Sequence, residues 1–260
     1  MQDQGQDFGA VFARSWELLS KNWVIIIPGI IIGVVAGIVV GFLALSGLAS
    51  GVVLGSAGAP AAGMMSAMLA GMMVAAVMTI ATLISVAFTS GMAAAAWRTG
   101  TATLADGAAA FRREGASLFV AMLLLFLLGI VAFALAIPTL GLAFAAYAIF
   151  FIYVIPSVVV DDVPGMEAIS GSFRLALKNF IPTLIIVVII GGISMLAGWI
   201  GHLFSGIPFL GWVVQYAIEQ AVVAYAMLVV VGEYIKLRGA GVPVSASAMA
   251  SGSPPPYNPL

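Results

Sequence analysis

Six stretches of this chain are so long and so apolar that they leave little choice of fold. They run over about 24–45, 64–96, 118–137, 140–160, 181–200 and 212–234, and each approaches the ~20 residues a helix needs to cross a bilayer. Polar residues are scarce around them. Of the 260 residues, 63% are hydrophobic and 7% charged, against roughly 25% charged in a soluble domain. Such a chain cannot cover itself with a water-facing surface. Backbone polar groups in lipid must be satisfied within the chain, so the expected fold is all-α: a polytopic integral membrane bundle of six transmembrane helices.

One short phrase occurs twice. Ser15-Trp16-Glu17-Leu18-Leu19-Ser20-Lys21-Asn22-Trp23 returns as Ser172-Phe173-Arg174-Leu175-Ala176-Leu177-Lys178-Asn179-Phe180, and each copy runs into an apolar stretch. With residues placed about 100° apart, Phe8, Val11, Phe12, Trp16, Leu19 and Trp23 share one face; Arg14, Glu17, Ser20 and Lys21 share the other. In the second copy the apolar face is Met166, Ile169, Phe173, Ala176, Leu177 and Phe180, and the polar face is Glu167, Arg174 and Lys178. Each copy reads as an amphipathic helix lying at the membrane interface. The expected anchors are Trp16, Lys21 and Trp23 in the first, and Phe173, Lys178 and Phe180 in the second. Pro164 is expected to open the second helix with Asp162 as its N-cap. Leu104–Phe111 reads as a weaker third copy.

The chain is therefore expected to hold three parallel-repeat units, each an interfacial segment followed by a two-span hairpin. Together they form a helical membrane domain over 1–238, followed by a disordered Pro/Ser/Gly tail over 239–260. Met1 to Asp7 is polar and acidic, and the apolar run after Val24 is too long for a cleaved signal, so it is expected to stay as a span.

Small residues predict how the first hairpin closes. Gly29, Gly33, Gly37 and Gly41 recur once per turn in the first span. Gly63, Ala67, Gly71, Ala75 and Thr79 do so in the second. Facing stripes of this glycine-zipper kind let two helix backbones approach closely.

Charge predicts the orientation. The nine basic residues are Arg14, Lys21, Arg98, Arg112, Arg113, Arg174, Lys178, Lys236 and Arg238, and six spans put all of them on one side. The opposite loops, about 46–62, 137–139 and 201–211, carry no charge. By the positive-inside rule the protein is a multi-pass protein of the cell membrane with both termini cytoplasmic.

The repeated phrase, with Pro156-Ser157-Val158-Val159-Val160-Asp161-Asp162 ahead of Ala168-Ile169-Ser170-Gly171-Ser172, resembles a known group. It is similar to the membrane-domain family of glycerophosphoryl diester phosphodiesterases and its prokaryotic membrane-protein relatives. The likeness covers nearly all of the membrane part. In those phosphodiesterases hydrolysis belongs to a separate soluble domain, of which nothing is found here. The resemblance thus implies an architecture, with no catalytic residue to carry over.

Candidate chemistry is sparse. With no cysteine and one histidine, disulfides, cysteine nucleophiles and His-based metal sites drop out. Glu219 is the one formal charge well inside an expected span, with Gln215 one turn away on its face and His202 in the preceding loop. An ionisable group at that depth is a candidate transport site; the alternative is a hydrogen-bonded Glu that ties the sixth span to its neighbours. Met64, Met68 and Met72 line one helix face; thioethers suit Cu(I), but methionine is also ordinary apolar filler. Asp161, Asp162 and Glu167 offer oxygen ligands for Mg²⁺ or simply a helix cap. Pro254-Pro255-Pro256-Tyr257 matches a proline-motif ligand within a tail of biased composition. No cofactor motif and no nucleic-acid-binding patch is present. The expectation is a non-enzymatic protein in a structural, lipid-interacting or partner-organising role. Its partners are then membrane lipids, other membrane proteins or further copies of itself. The alternative is a small-solute or ion transporter using Glu219.

Overall fold

In the computed structural model, which describes residues 8–204, 207 and 210–239, the chain is helical almost throughout, with no strand among those residues. The order is α1 (Phe8–Lys21), a 3-10 turn (Trp23–Ile26), α2 (Ile27–Ser56), α3 (Pro60–Thr99), α4 (Leu104–Ala136), α5 (Leu142–Phe151), α6 (Val154–Asp161), α7 (Gly165–Lys178), α8 (Phe180–Leu203) and α9 (Leu210–Gly239). Six segments are long and apolar enough to cross a membrane: Trp23–Ser56, Pro60–Thr99, Leu104–Ala136, Leu142–Asp161, Phe180–Leu203 and Val213–Gly239. The tail expected from residue 239 onward, with its Pro254-Pro255-Pro256-Tyr257, lies outside the described residues after Gly239.

The chain forms two compact units, Ile27–Val86 and the remainder. The smaller unit is an antiparallel hairpin. The loop expected over 46–62 is mostly helix: α2 continues to Ser56, and Pro60, which has no N–H to satisfy, opens α3. This extension moves the close approach toward the tip. A Cβ on Gly47 would overlap that of Ala70, one on Gly63 would stand 2.8 Å from the Gly51 carbonyl, and the Ser50 and Ser66 hydroxyls bond across the seam. Of the expected stripes only Gly63 takes part in this contact. Ala67, Gly71 and Ala75 are exposed, and a Cβ on Gly41 or Gly71 would meet open space. Gly29 is buried, with Gly33 and Gly37 half-buried. Met64, Met68 and Met72 face outward.

In the larger unit, both copies of the repeated phrase fold as 14-residue helices that stop at Lys-Asn. Asn22 Nδ2 donates to the Leu18 carbonyl at 2.9 Å, and Asn179 Nδ2 to Leu175 at 3.0 Å. Each side chain thus adds a second donor to a carbonyl of the last turn that the same residue's backbone N–H already meets, at 2.9 Å for Leu18 and 3.0 Å for Leu175, so that the asparagine closes the helix end twice over. Asn22 also donates to Gly100 O and accepts from Ala102 N (3.1 and 2.8 Å), which ties the first bend to the α3–α4 connection.

The third copy behaves differently. Leu104 to Ala136 is one unbroken helix, so no separate interfacial piece forms. No Asn or Pro lies between Thr103 and Ala136 to turn the chain. A Thr103–Asp106 capping box starts α4 instead.

Against the bundle, α1 buries Val11, Ser15, Leu18 and Leu19, and α7 buries Gly165, Ala168, Ser172 and Ala176. The large aromatics lie on the other side: Trp16 is 64% exposed and Trp23 65%, with Phe173 and Phe180 near 40%. The buried face of α7 is therefore its small-residue face, while half-exposed Phe173 packs at the edge against Phe150 with ring centroids 4.9 Å apart. Small size matters at its start, where a Cβ on Gly165 would come within 2.7 Å of the Ala121 nitrogen of α4.

The fourth crossing segment is broken between α5 and α6. Pro156 has no N–H for the Ile152 carbonyl, and its ring would press on it in a continuous helix. Two other backbone groups at the break are covered by Ser172, whose hydroxyl donates to Phe150 O at 2.8 Å and accepts from Tyr153 N at 3.2 Å. Tyr153 turns into the core with Val11, Ala176, Ile186, Val229, Val230 and Tyr234. Its hydroxyl bonds Thr183 at 3.1 Å.

Candidate functional site at the end of α6

Short helix α6 ends where charged side chains from α3, α4 and α9 collect. Asp161 closes it, and Asp162 takes a left-handed backbone (φ 55°), its N–H returning to Ser157 O. Aspartate tolerates that conformation better than most residues. Asp162 is consequently the end of α6, not the N-cap of α7, whose N-cap is Pro164 without a side-chain bond.

Three arginines from three helices converge on this end. Arg98 of α3 donates to Val160 O at 2.8 Å. Arg113 of α4 reaches Val159 O at 3.3 Å and Asp162 Oδ1 at 2.8 Å, and its Nε meets Glu114 at 3.0 Å. Arg238 of α9 pairs with Asp161 Oδ2 at 2.6 Å, and the Tyr234 hydroxyl donates to that same oxygen. Cations at a helix C-terminus meet the free carbonyls and the negative end of its dipole. A helix this short, cut off by Pro156, gains its fixed end from these partners.

Glu233 sits on α9 beside this network and is 1% exposed, the most buried carboxylate among the described residues. Its Oε2 makes no hydrogen bond, and Lys236 Nζ stands 3.9 Å away. Depth in the sixth span points to Glu219 but not to Glu233, which stands next to last in the expected 212–234. The signal for Glu233 was helical spacing: fourteen residues on from Glu219 is close to four turns, hence the same face. Arg98, Arg113 and Arg238 were read only as topology markers.

Glu219 itself is half-buried and accepts from Gln215 Nε2 at 3.0 Å. Gln215 packs over Gly201 of α8, where a Cβ would lie 2.7 Å from its Cγ. His202, next in sequence, is exposed, and no hydrogen bond or ion pair joins it to Glu219 among the described residues. Two of the three residues expected at a transport site are thus brought together. Asp161 and Asp162 are engaged by Arg238 and Arg113, and no group of three His, Cys, Asp or Glu side chains placed to hold a metal occurs among the described residues.

Six helical segments long and apolar enough to cross a bilayer make this a multi-pass helical membrane protein. No model of a known family, no curated protein and no solved structure matches the chain.

Proposed function

We propose that this protein does no covalent chemistry and serves in the cell membrane by contacting lipids and organising partner proteins or further copies of itself. The observation that carries this reading is the end of α6. Its carboxylates, arginines and tyrosine bond one another and helix carbonyls, an arrangement that ties helices together rather than presenting these groups to a substrate. In this reading α1 and α7 lie at the cytoplasmic interface with both termini on that side, their exposed aromatics seated among lipid headgroups. Membership of the phosphodiesterase membrane-domain family belongs to the same proposal and rests on the phrase at 15–23 and 172–180.

A second reading, a solute or ion transporter, is favoured by the Gln215–Glu219 bond over Gly201. One assay separates the two. In sealed vesicles containing the purified protein, Glu219→Gln is expected to leave cation and pH-gradient fluxes unchanged. A pH-dependent flux that this substitution abolishes contradicts the non-transport reading.

A further inference from the structure

The two copies of the repeated phrase differ most at one position, and the structure gives that difference a consequence. In α1, Glu17 stands between Arg14 (2.8 Å) and Lys21 (2.6 Å) and pairs with both. The equivalent residue in α7 is Arg174. Arg174 makes only long contacts, at 3.3 Å and 3.5 Å, to the carbonyl and hydroxyl of Ser170. Lys178, one turn further along, is exposed, and neither cation has an acidic partner among the described residues. Glu167, the one carboxylate on α7, is roughly 10 Å away along the helix from Arg174.

Beneath Ser170 and Arg174 runs an open groove of about 580 Å³ between α4, α5 and α7. Leu128, Phe151, Ile169 and Phe173 complete its lining. Apolar walls below and a hydroxyl with cations at the rim match one kind of molecule: a hydrocarbon chain joined to an anionic headgroup. We propose that this groove binds an anionic phospholipid, with an acyl chain along Leu128, Phe151, Ile169 and Phe173. The phosphate then meets Arg174, and Lys178 adds a second charge; the Ser170 hydroxyl, which donates to Glu167 O at 3.1 Å, lines the mouth. Arginine suits phosphate because its planar fork gives two parallel donors. The first copy offers no such site, since Glu17 already occupies both of its cations. The proposal rests on the lipid-contacting role above and names the lipid class and the place.

The test uses the full chain in detergent with equal amounts of phosphatidylglycerol and phosphatidylcholine, retained lipid being counted by native mass spectrometry. The expected preference for phosphatidylglycerol is roughly fivefold for each of the two cations. The R174Q/K178Q pair removes it, R14Q/K21Q leaves it, and Ser170→Trp, which fills the mouth, lowers retention of both lipids. Inorganic phosphate at millimolar concentration does not displace the lipid. Equal retention of the two lipids overturns the proposal. So do equal losses in both double variants, no loss in R174Q/K178Q, undiminished retention in Ser170→Trp, or displacement by phosphate. The vesicle flux of Glu219→Gln is independent of these results, so the groove can fail while the non-transport reading stands.

Discussion

Asn22 and Asn179 hold the same place in the two copies of the repeated phrase and make the same bond, side-chain amide to the carbonyl four residues back. They differ in what else they hold. Asn22 is buried and also bonds both Gly100 and Ala102, whereas Asn179 is half-buried with the single bond. Asn22→Ala leaves buried backbone groups without partners and is expected to cost about 2–3 kcal/mol. Asn179→Ala should cost about 1 kcal/mol. Reversible unfolding in mixed micelles gives both values. Equal costs would mean that the contacts to 100–102 contribute nothing.

Asp161 accepts from the Tyr234 hydroxyl and from Arg238 on one oxygen. Because Arg238 is 57% exposed while the Asp161 side chain is 22% exposed, water screens the ion pair and the tyrosine bond dominates. Asp161→Ala is expected to cost about 1–3 kcal/mol, and Tyr234→Phe about 1 kcal/mol. Their double-mutant cycle should show coupling of at least about 0.5 kcal/mol, whereas Asp161 with Arg238→Gln should couple less.

The indole of Trp97 covers Gly232 of α9 so closely that a Cβ there would overlap the ring, and its N–H donates to Leu228 O at 2.7 Å. Gly232→Ala must displace the indole and is expected to cost about 1–3 kcal/mol. Adding Trp97→Leu should make the glycine substitution nearly neutral. Full additivity of the two changes, measured by thermal unfolding, contradicts the contact.

Glu17 lies outside the crossing segments, and hydrogen bonds from Lys21 and then Arg14 hold its carboxyl below the ordinary 4.5. A folded-state value below the unfolded one means that the contribution to stability is present above pH 4.5. It is lost as pH falls through the depressed value. A carboxyl-carbon NMR titration of the folded protein should place Glu17 below 4.5, and Lys21→Met should move it back up. A midpoint at or above 4.5 contradicts the pairing.

Much of the fold could be read from residues because membrane helices need little besides length and hydrophobicity. What escaped was decided by helix ends and contacts. Gly47, Ser50 and Gly51 looked like loop residues, yet no proline interrupts them before Pro60, so the backbone stays helical and the hairpin seam moves to them. Pro156 was visible as part of a phrase. That it breaks the fourth crossing segment, with Ser172 covering the gap, depends on α7 packing there. Asp162 was a reasonable N-cap by position, but its left-handed backbone ends the helix before it. The α6 site was least legible, since Arg98, Arg113 and Arg238 are far apart in sequence and meet only through packing.

The proposed arrangement as a whole stands or falls on six crossings with all nine basic residues on one side. The chain has no cysteine, so a single one placed at Ser56, exposed at the end of α2, or at Ser20, exposed on α1, can be labelled in intact cells with a membrane-impermeant maleimide. The account predicts that Ser56→Cys reacts in intact cells, whereas Ser20→Cys reacts only after the membrane is opened. Labelling of Ser20→Cys in intact cells, with Ser56→Cys protected until lysis, would contradict it.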